Sequence, residues 1–286
     1  MTNLHRILVP VDFSEASAGA ARYAASLACE GKCELHLLHV MAEPPLDYSM
    51  LEPPEWRRQE LLAERSGRAM KRLESFRSQL SELADVRLHV ADGEAAEEIV
   101  RHAQQEQMDA VVMPTRGRNR LERLLLIGSV TMKVLHALDK PVVTGVRFED
   151  HLPPRAIRRV LCAVDLGPAS ERVLCAAMQT SQRFGAKLSV IHAQPHAVAE
   201  IFDDEMRDKT QGRSMQKLKE LAGRLGVNAD LHVEFEQPPR AISGMALKLG
   251  ADLVVLGRGE SDGLIGRLRA NAYDIIRLCH CPVVSV

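Results

Sequence analysis

The chain has 286 residues, 46% of them hydrophobic and 26% charged, the balance of an ordinary globular protein long enough for two domains. A formal net charge of -1 gives no global attraction to nucleic acid or an anionic membrane, so neither is expected as a partner. No apolar run reaches membrane-spanning length, and the opening residues lack the charged and apolar regions of a secretory leader, which leads us to expect a cytoplasmic protein.

Aromatic residues make up only 3% of the chain, so any core must be built from aliphatic side chains. Ile7 to Val11 is a β-branched run suited to a strand covered on both faces. Ser14 to Cys29 reads as a helix capped by Ser14, with Ala20, Ala21, Ala24, Ala25 and Ala28 forming a small-residue face for close packing on a sheet. Glu34 to Val40 is a second strand. A loop holding Pro44, Pro45, Pro53 and Pro54 follows, long enough to read as a functional flap. An amphipathic helix from Glu55 to Ala84 carries Ala69, Leu73, Phe76, Leu80 and Leu83 on one face. Val86 to Val90 is a third strand, Ala95 to Gln105 a helix, and Ala110 to Met113 a fourth strand. After a Gly/Arg-rich loop come a helix from Ser129 to Ala137, with Ser129 as its expected N-cap, and a last strand from Pro141 to Val146.

The chain then repeats itself. Arg6-Ile7-Leu8-Val9-Pro10-Val11-Asp12 is echoed by Arg159-Val160-Leu161-Cys162-Ala163-Val164-Asp165. Met108-Asp109-Ala110-Val111 is echoed by Ala251-Asp252-Leu253-Val254, and Lys140-Pro141-Val142-Val143 by Cys281-Pro282-Val283-Val284. The period, about 140–150 residues, is that of a whole domain rather than a solenoid repeat. Strands in the second half are expected at Val160–Val164, Lys187–His192, Asp230–Phe235, Leu253–Leu256 and Pro282–Val286. The domains are residues 1–147 and 155–286, joined by a Pro-containing linker. Strict strand–helix alternation predicts an α/β fold: two tandem open parallel five-stranded sheets with helices on both faces.

Ligands of such sheets bind beyond the carboxyl ends of the strands. In the first half those ends carry Pro10, Asp12, Val40, Met113 and the loop Pro114-Thr115-Arg116-Gly117. Ile127-Gly128-Ser129-Val130-Thr131 opens the next helix, and its unpaired amides make an anion site. Arg116, Arg118, Arg120 and Arg123 form a basic cluster that reads first as a solvated loop. No Walker loop, nucleophile elbow or fixed-spacing His partner for Asp12 is present. His39, His89, His102, His136, His192 and His232 are scattered through strand and helix patterns, as core or surface histidines are. Cys29, Cys33, Cys162, Cys175, Cys279 and Cys281 lie in apolar stretches, as buried free thiols do. Cys279-His280-Cys281 is too tight for a zinc knuckle, so no metal site is expected.

These motifs, in this order, resemble the universal stress proteins, whose signature is Gly-x2-Gly-x9-Gly-Ser/Thr after strand four. The first half carries Asp12, then Pro114-x2-Gly117-x10-Gly128-Ser129, then Pro141-Val142-Val143. Here Pro114 replaces the leading glycine and the spacer is one residue longer. The second half carries Asp165, then Gly257-x2-Glu260-x9-Ala270-Asn271, with two glycines and the hydroxyl residue lost. The resemblance implies an adenine nucleotide alpha hydrolase-like fold of strand order 3-2-1-4-5. The last strands, Pro141–Val146 and Pro282–Val286, are short, apolar and at a sheet edge, so the two halves are expected to pack partly through them. The resemblance also implies ATP, with or without Mg²⁺, mainly in the first domain. There Asp12 lies near base and ribose, the Val40 backbone reads adenine, and Gly117, Gly128, Ser129, Val130 and Thr131 hold phosphates. Pro10, Met113 and Arg116 complete that site, and Asp165 and Gly257 stand at the matching points of the second.

The function so implied is a stress-response regulator acting through an unidentified protein partner or a homodimer, at most a slow ATP hydrolase. The alternative is an interaction module of the same fold that binds no nucleotide, with or without another small ligand.

Overall fold

A computed structural model describes residues 4–28, 33–42, 55–78, 80, 85–116, 127–146, 148, 156–194, 204–258 and 270–286. The first half runs β1 (Arg6–Pro10), α1 (Glu15–Ala28), β2 (Glu34–Met41), α2 (Glu55–Arg77), β3 (Asp85–Asp92), α3 (Ala95–Gln105), β4 (Ala110–Pro114), α4 (Ser129–Ala137) and β5 (Val142–Gly145). The second repeats the order as β6 (Arg159–Ala163), α5 (Ser170–Phe184), β7 (Lys187–Gln194), α6 (Asp204–Arg224), β8 (Asp230–Phe235), α7 (Pro238–Leu249), β9 (Leu253–Leu256), α8 (Ala270–Leu278) and β10 (Val283–Ser285). Helix α2 ends at Arg77 rather than at Ala84. The proline-containing loop expected as a flap lies outside the described residues.

Within each half the strands are parallel in the order 3-2-1-4-5. The two sheets are not separate: β5 pairs antiparallel with β10, Val143 opposite Val284, giving one ten-stranded sheet β3-β2-β1-β4-β5-β10-β9-β6-β7-β8. Pairing the short last strands removes two apolar edges that would otherwise be open to another chain. Central strands are buried on both faces, as the continuous Val/Leu/Ile runs require. Ile7, Leu8 and Val9 are wholly buried, with Ile7 and Val9 in the core layer under α1 and Leu8 in the layer under α3 and α4.

The echoed sequence fragments have structural counterparts. Asp109 Oδ2 accepts from the amides of His5 and Arg6 at 2.7 and 2.9 Å, and Asp252 Oδ2 from those of Arg158 and Arg159 at 2.8 and 2.9 Å. Each aspartate thus ties the start of its half's first strand to the entry of the fourth. After that first strand the chain turns sharply through Phe13 (φ 61°) in one copy and Leu166 (φ 60°) in the other. A left-handed conformation is costly for a bulky side chain. It recurs at the turn that follows Asp12 and Asp165.

One buried cation binds the halves together. Arg258, 5% exposed and two residues past the end of β9, donates across the seam to the carbonyls of Leu138 and Lys140, and within its own half to Ser285 O at 2.9 Å. Leu138 is the C-cap of α4, where the helix dipole presents partial negative charge, so the guanidinium is well placed. Tyr273 on α8 contacts His136 on α4 through its hydroxyl.

Candidate functional site

At the carboxyl ends of β1, β2 and β4, a cavity of about 550 Å³ opens in the first half. Its volume falls in the range of small-molecule sites, about 300–1,000 Å³. Pro10, Val11 and Asp12 form its floor from β1, and Leu38, His39 and Val40 one wall from β2. Met113, Pro114 and Arg116 come from β4 and its loop, and Gly128 to Thr131 from the start of α4. Nine sequence-expected residues therefore meet here: Pro10, Asp12, Val40, Met113, Arg116, Gly128, Ser129, Val130 and Thr131. Gly117 lies outside the described residues. Asp165 and Gly257 lie in the other half.

Local hydrogen bonding shapes this cavity. Asp12 Oδ1 accepts from the Ser14 amide at 3.0 Å and the Ser14 hydroxyl at 2.5 Å, which orients the carboxylate after the turn at Phe13. Ser14 Oγ accepts the Ser17 amide at 3.1 Å and so caps α1. The expected N-cap of α4, Ser129, is instead its first helical residue. Gly128 holds the cap position with φ −61° and ψ 146°, and its amide donates to Thr115 O at 2.8 Å. The buried Thr131 hydroxyl donates to Pro114 O at 3.0 Å, which pins the helix to the end of β4. The first-turn amides of Ser129, Val130 and Thr131 have no intrahelical acceptor, and these residues line the cavity.

Sequence reasoning left two contributions out. His39 lines the cavity, its Nδ1 2.7 Å from Val11 O and its ring 4.5 Å from that of Phe13. His192 repeats this contact with Val164 O at 3.0 Å, so the pair of histidines two residues short of each strand end was a signal available in the echo. The second contribution is α2, whose Arg65, Arg68 and Arg72 face an adjoining recess shared with Asp12, His39 and Val40. Arg72 stacks over Phe13 at 3.9 Å, and Arg65 donates to Ala42 O at 2.6 Å. Their spacing puts them on one helix face, a pattern overshadowed by the apolar stripe beside it.

In the second half, Asp165 Oδ1 accepts from the Gly167 amide at 2.9 Å and the Ser170 hydroxyl at 3.1 Å. A Cβ on Gly257 would lie 2.8 Å from Val173 Cγ2, so packing against α5 accounts for that glycine. The residues from 259 to 269, which would complete a site like the first, lie outside the described residues.

The model of the universal stress protein family matches residues 3–146 and again 156–286. The chain belongs to that family, twice over. Universal stress protein MJ0531 of Methanocaldococcus jannaschii is 33% identical over 144 residues, covering 49% of this chain and 82% of that protein. Universal stress protein YxiE of Bacillus subtilis is also 33% identical over 144 residues, covering 49% of this chain and 97% of its own. The crystal structure of a universal stress protein from Archaeoglobus fulgidus matches across both halves, with a TM-score of 0.70 and 23% identity, covering 99% of this chain and 97% of that one. That match speaks for the fold. Among the described residues no helix is long and apolar enough to cross a membrane.

Proposed function

We propose that this tandem universal stress protein is an ATP-binding regulator whose nucleotide sits in the domain of residues 1–147, while the copy at 155–286 serves as its structural partner. The observation that carries the reading is the cavity joining an apolar wall to a helix N-terminus. Leu38, Val40, Ile99 and Met113 offer an apolar slot for a base, and the Ser129, Val130 and Thr131 amides face the same space. Asp12 stands between the two, where a ribose would be. Arg116 adds a positive charge for the phosphates or their Mg²⁺ complex.

Gly128 fits this reading because nothing among the described residues demands a glycine there. Its φ is ordinary, and a Cβ would rest 3.4 Å from Thr115 O, in plain van der Waals contact. A ligand close to the backbone supplies the missing reason. A non-nucleotide interaction module is the second reading, favoured by Pro114, which brings no amide to the lining.

Regulation rather than turnover fits the chemistry. Asp12 is the one carboxylate lining the cavity among the described residues, and its Oδ1 already accepts two hydrogen bonds. Hydrolysis is therefore expected to be slow at most. Isothermal titration of the intact chain should find one ATP per chain, with binding weakened at least about 100-fold by Gly128→Glu, which places bulk and negative charge at the phosphate position. No ATP binding by the wild type, or equal binding by the variant, would overturn the assignment.

A further inference from the structure

Three histidines that are scattered in the sequence converge in the same half, beneath α3. His36 lies on β2, His89 on the edge strand β3, and His102 on α3, which covers both. In the register of the two strands Leu38 is opposite His89 and His36 opposite Arg87, so all four share the face beneath α3. One nitrogen from each ring lies within 4.8 Å of the others. His89 Nε2 is 3.0 Å from His36 Nδ1, and the His89 and His102 ring centroids are 4.4 Å apart. His89 and His102 were expected to be scattered core or surface histidines and His36 was not singled out; the register of β2 and β3 and the return of α3 bring the three together.

We propose that His36, His89 and His102 form a binding site for a divalent transition metal of the zinc class, between the β2–β3 pair and α3, none of the three being among the residues that line the nucleotide cavity. A tetrahedral site with metal–nitrogen bonds of about 2.0–2.1 Å needs its nitrogens about 3.3 Å apart. The His36–His89 pair is already near that spacing, and small rotations of the half-buried His89 and of His102 bring in the third.

Three further observations point to a ligand. His102 Nε2 is buried with no hydrogen-bond partner, an unusual state for a polar atom unless something else is to be bound there. His36 turns its other nitrogen, Nε2, toward Glu34 Oε2 at 3.4 Å. This is the outer carboxylate that commonly orients a metal-binding imidazole. Glu34 is itself held by Arg87 at 2.5 Å and Arg6 at 3.5 Å. Burial also keeps all three imidazoles below their usual pKa, His89 at about 4, so each offers a lone pair at neutral pH.

The second copy provides an internal contrast. Ser189 is opposite Asp230 as His36 is opposite Arg87, and His232 is opposite Ile191 as His89 is opposite Leu38. Met245 precedes the buried Ala246 on α7 as His102 precedes Ala103 on α3. Only His232 of that set can ligate as an imidazole, so one metal per chain is expected. Imidazole nitrogens alone suit zinc, copper, nickel or cobalt rather than calcium or magnesium.

The test is titration of the chelator-treated full-length chain with Zn²⁺ by calorimetry and with Co²⁺ by visible absorption. One equivalent of Zn²⁺ should bind, at least about 10-fold more weakly in His89→Gln and in His102→Gln, and unchanged in His232→Gln. Circular dichroism should show all three variants folded. The Co²⁺ complex should show ligand-field bands without thiolate charge transfer in the near ultraviolet. No binding by the wild type, unchanged binding in both His89→Gln and His102→Gln, or a thiolate band placing the metal on cysteines would overturn the proposal. ATP titration of the same samples is read separately, so failure here leaves the nucleotide reading standing.

Discussion

Two motif glycines, one from each half, are there for different reasons. Gly257 is a packing residue: a Cβ would meet the branched, buried Val173 side chain at 2.8 Å. Gly128 has ordinary backbone angles and room for a Cβ. The same substitution should therefore separate them. Gly257→Ser is expected to cost about 1–3 kcal/mol through overpacking. Gly128→Ser, which puts a better capping residue at the start of α4, should change stability by less than about 0.5 kcal/mol. Urea denaturation of both variants would check this; equal losses would mean that Gly128 is also held by packing. A sequence reading marks both positions as motif glycines but cannot see Val173, because the clash arises between segments far apart in the chain. The same limit hid His36 as a neighbour of His89 and His102.

Elements were legible wherever periodicity alone decides. The helix from Ala95 to Gln105 and the strands Asp230–Phe235 and Leu253–Leu256 fall on their expected boundaries. The C-terminal end of α2 was over-extended because Leu80 continues its apolar stripe after the helix has ended at Arg77. Leu80 is indeed buried, but from a turn. The repeated Asp109 and Asp252 are explained at this scale. Each accepts two main-chain amides, joining two parallel strands at their starts beside the main-chain bond from its own amide to Arg6 O or Arg159 O. Asp109→Ala and Asp252→Ala should each destabilise the protein by about 1–3 kcal/mol, the cost of leaving such amides without their charged acceptor. Thermal and urea unfolding would measure it. A negligible loss in both would show that water replaces the carboxylate at no cost.

For the molecule as a whole, the continuous sheet makes the two halves one cooperative body. Its remaining edges are β3 and β8, which carry exposed charges such as Asp85, Arg87 and Asp230 that discourage further strand pairing. The seam depends on Arg258, whose position in the echo is held by Thr115 in the first half. Arg258→Met keeps the aliphatic stem but strands the carbonyls of Leu138, Lys140 and Ser285. It should cost at least about 2 kcal/mol, since bonds to a charged donor are each worth about 1.5–3 kcal/mol. It should also split a single urea transition into two. A single unshifted transition would show that the β5–β10 pairing and the remaining contacts between the halves hold the seam without Arg258. The pairing of last strands was foreseen from their apolar, edge-like character, whereas the arginine was not, because nothing local in Gly257-Arg258 signals a partner some 120 residues away.

An interface between identical copies must be complementary to itself: whatever one subunit offers, the other offers back. The contact made by Arg258 escapes that condition. It reaches from the second half into the end of α4, while Thr115, its counterpart, turns inward to Gly145 O in its own half. A residue as large as arginine, entering a contact once and in one direction only, is affordable because both faces are encoded in one polypeptide and can diverge independently. Fusion thus frees each half from having to match its own image. One copy can keep a ligand cavity at the start of α4 while the other supplies the charge that steadies the same helix from behind.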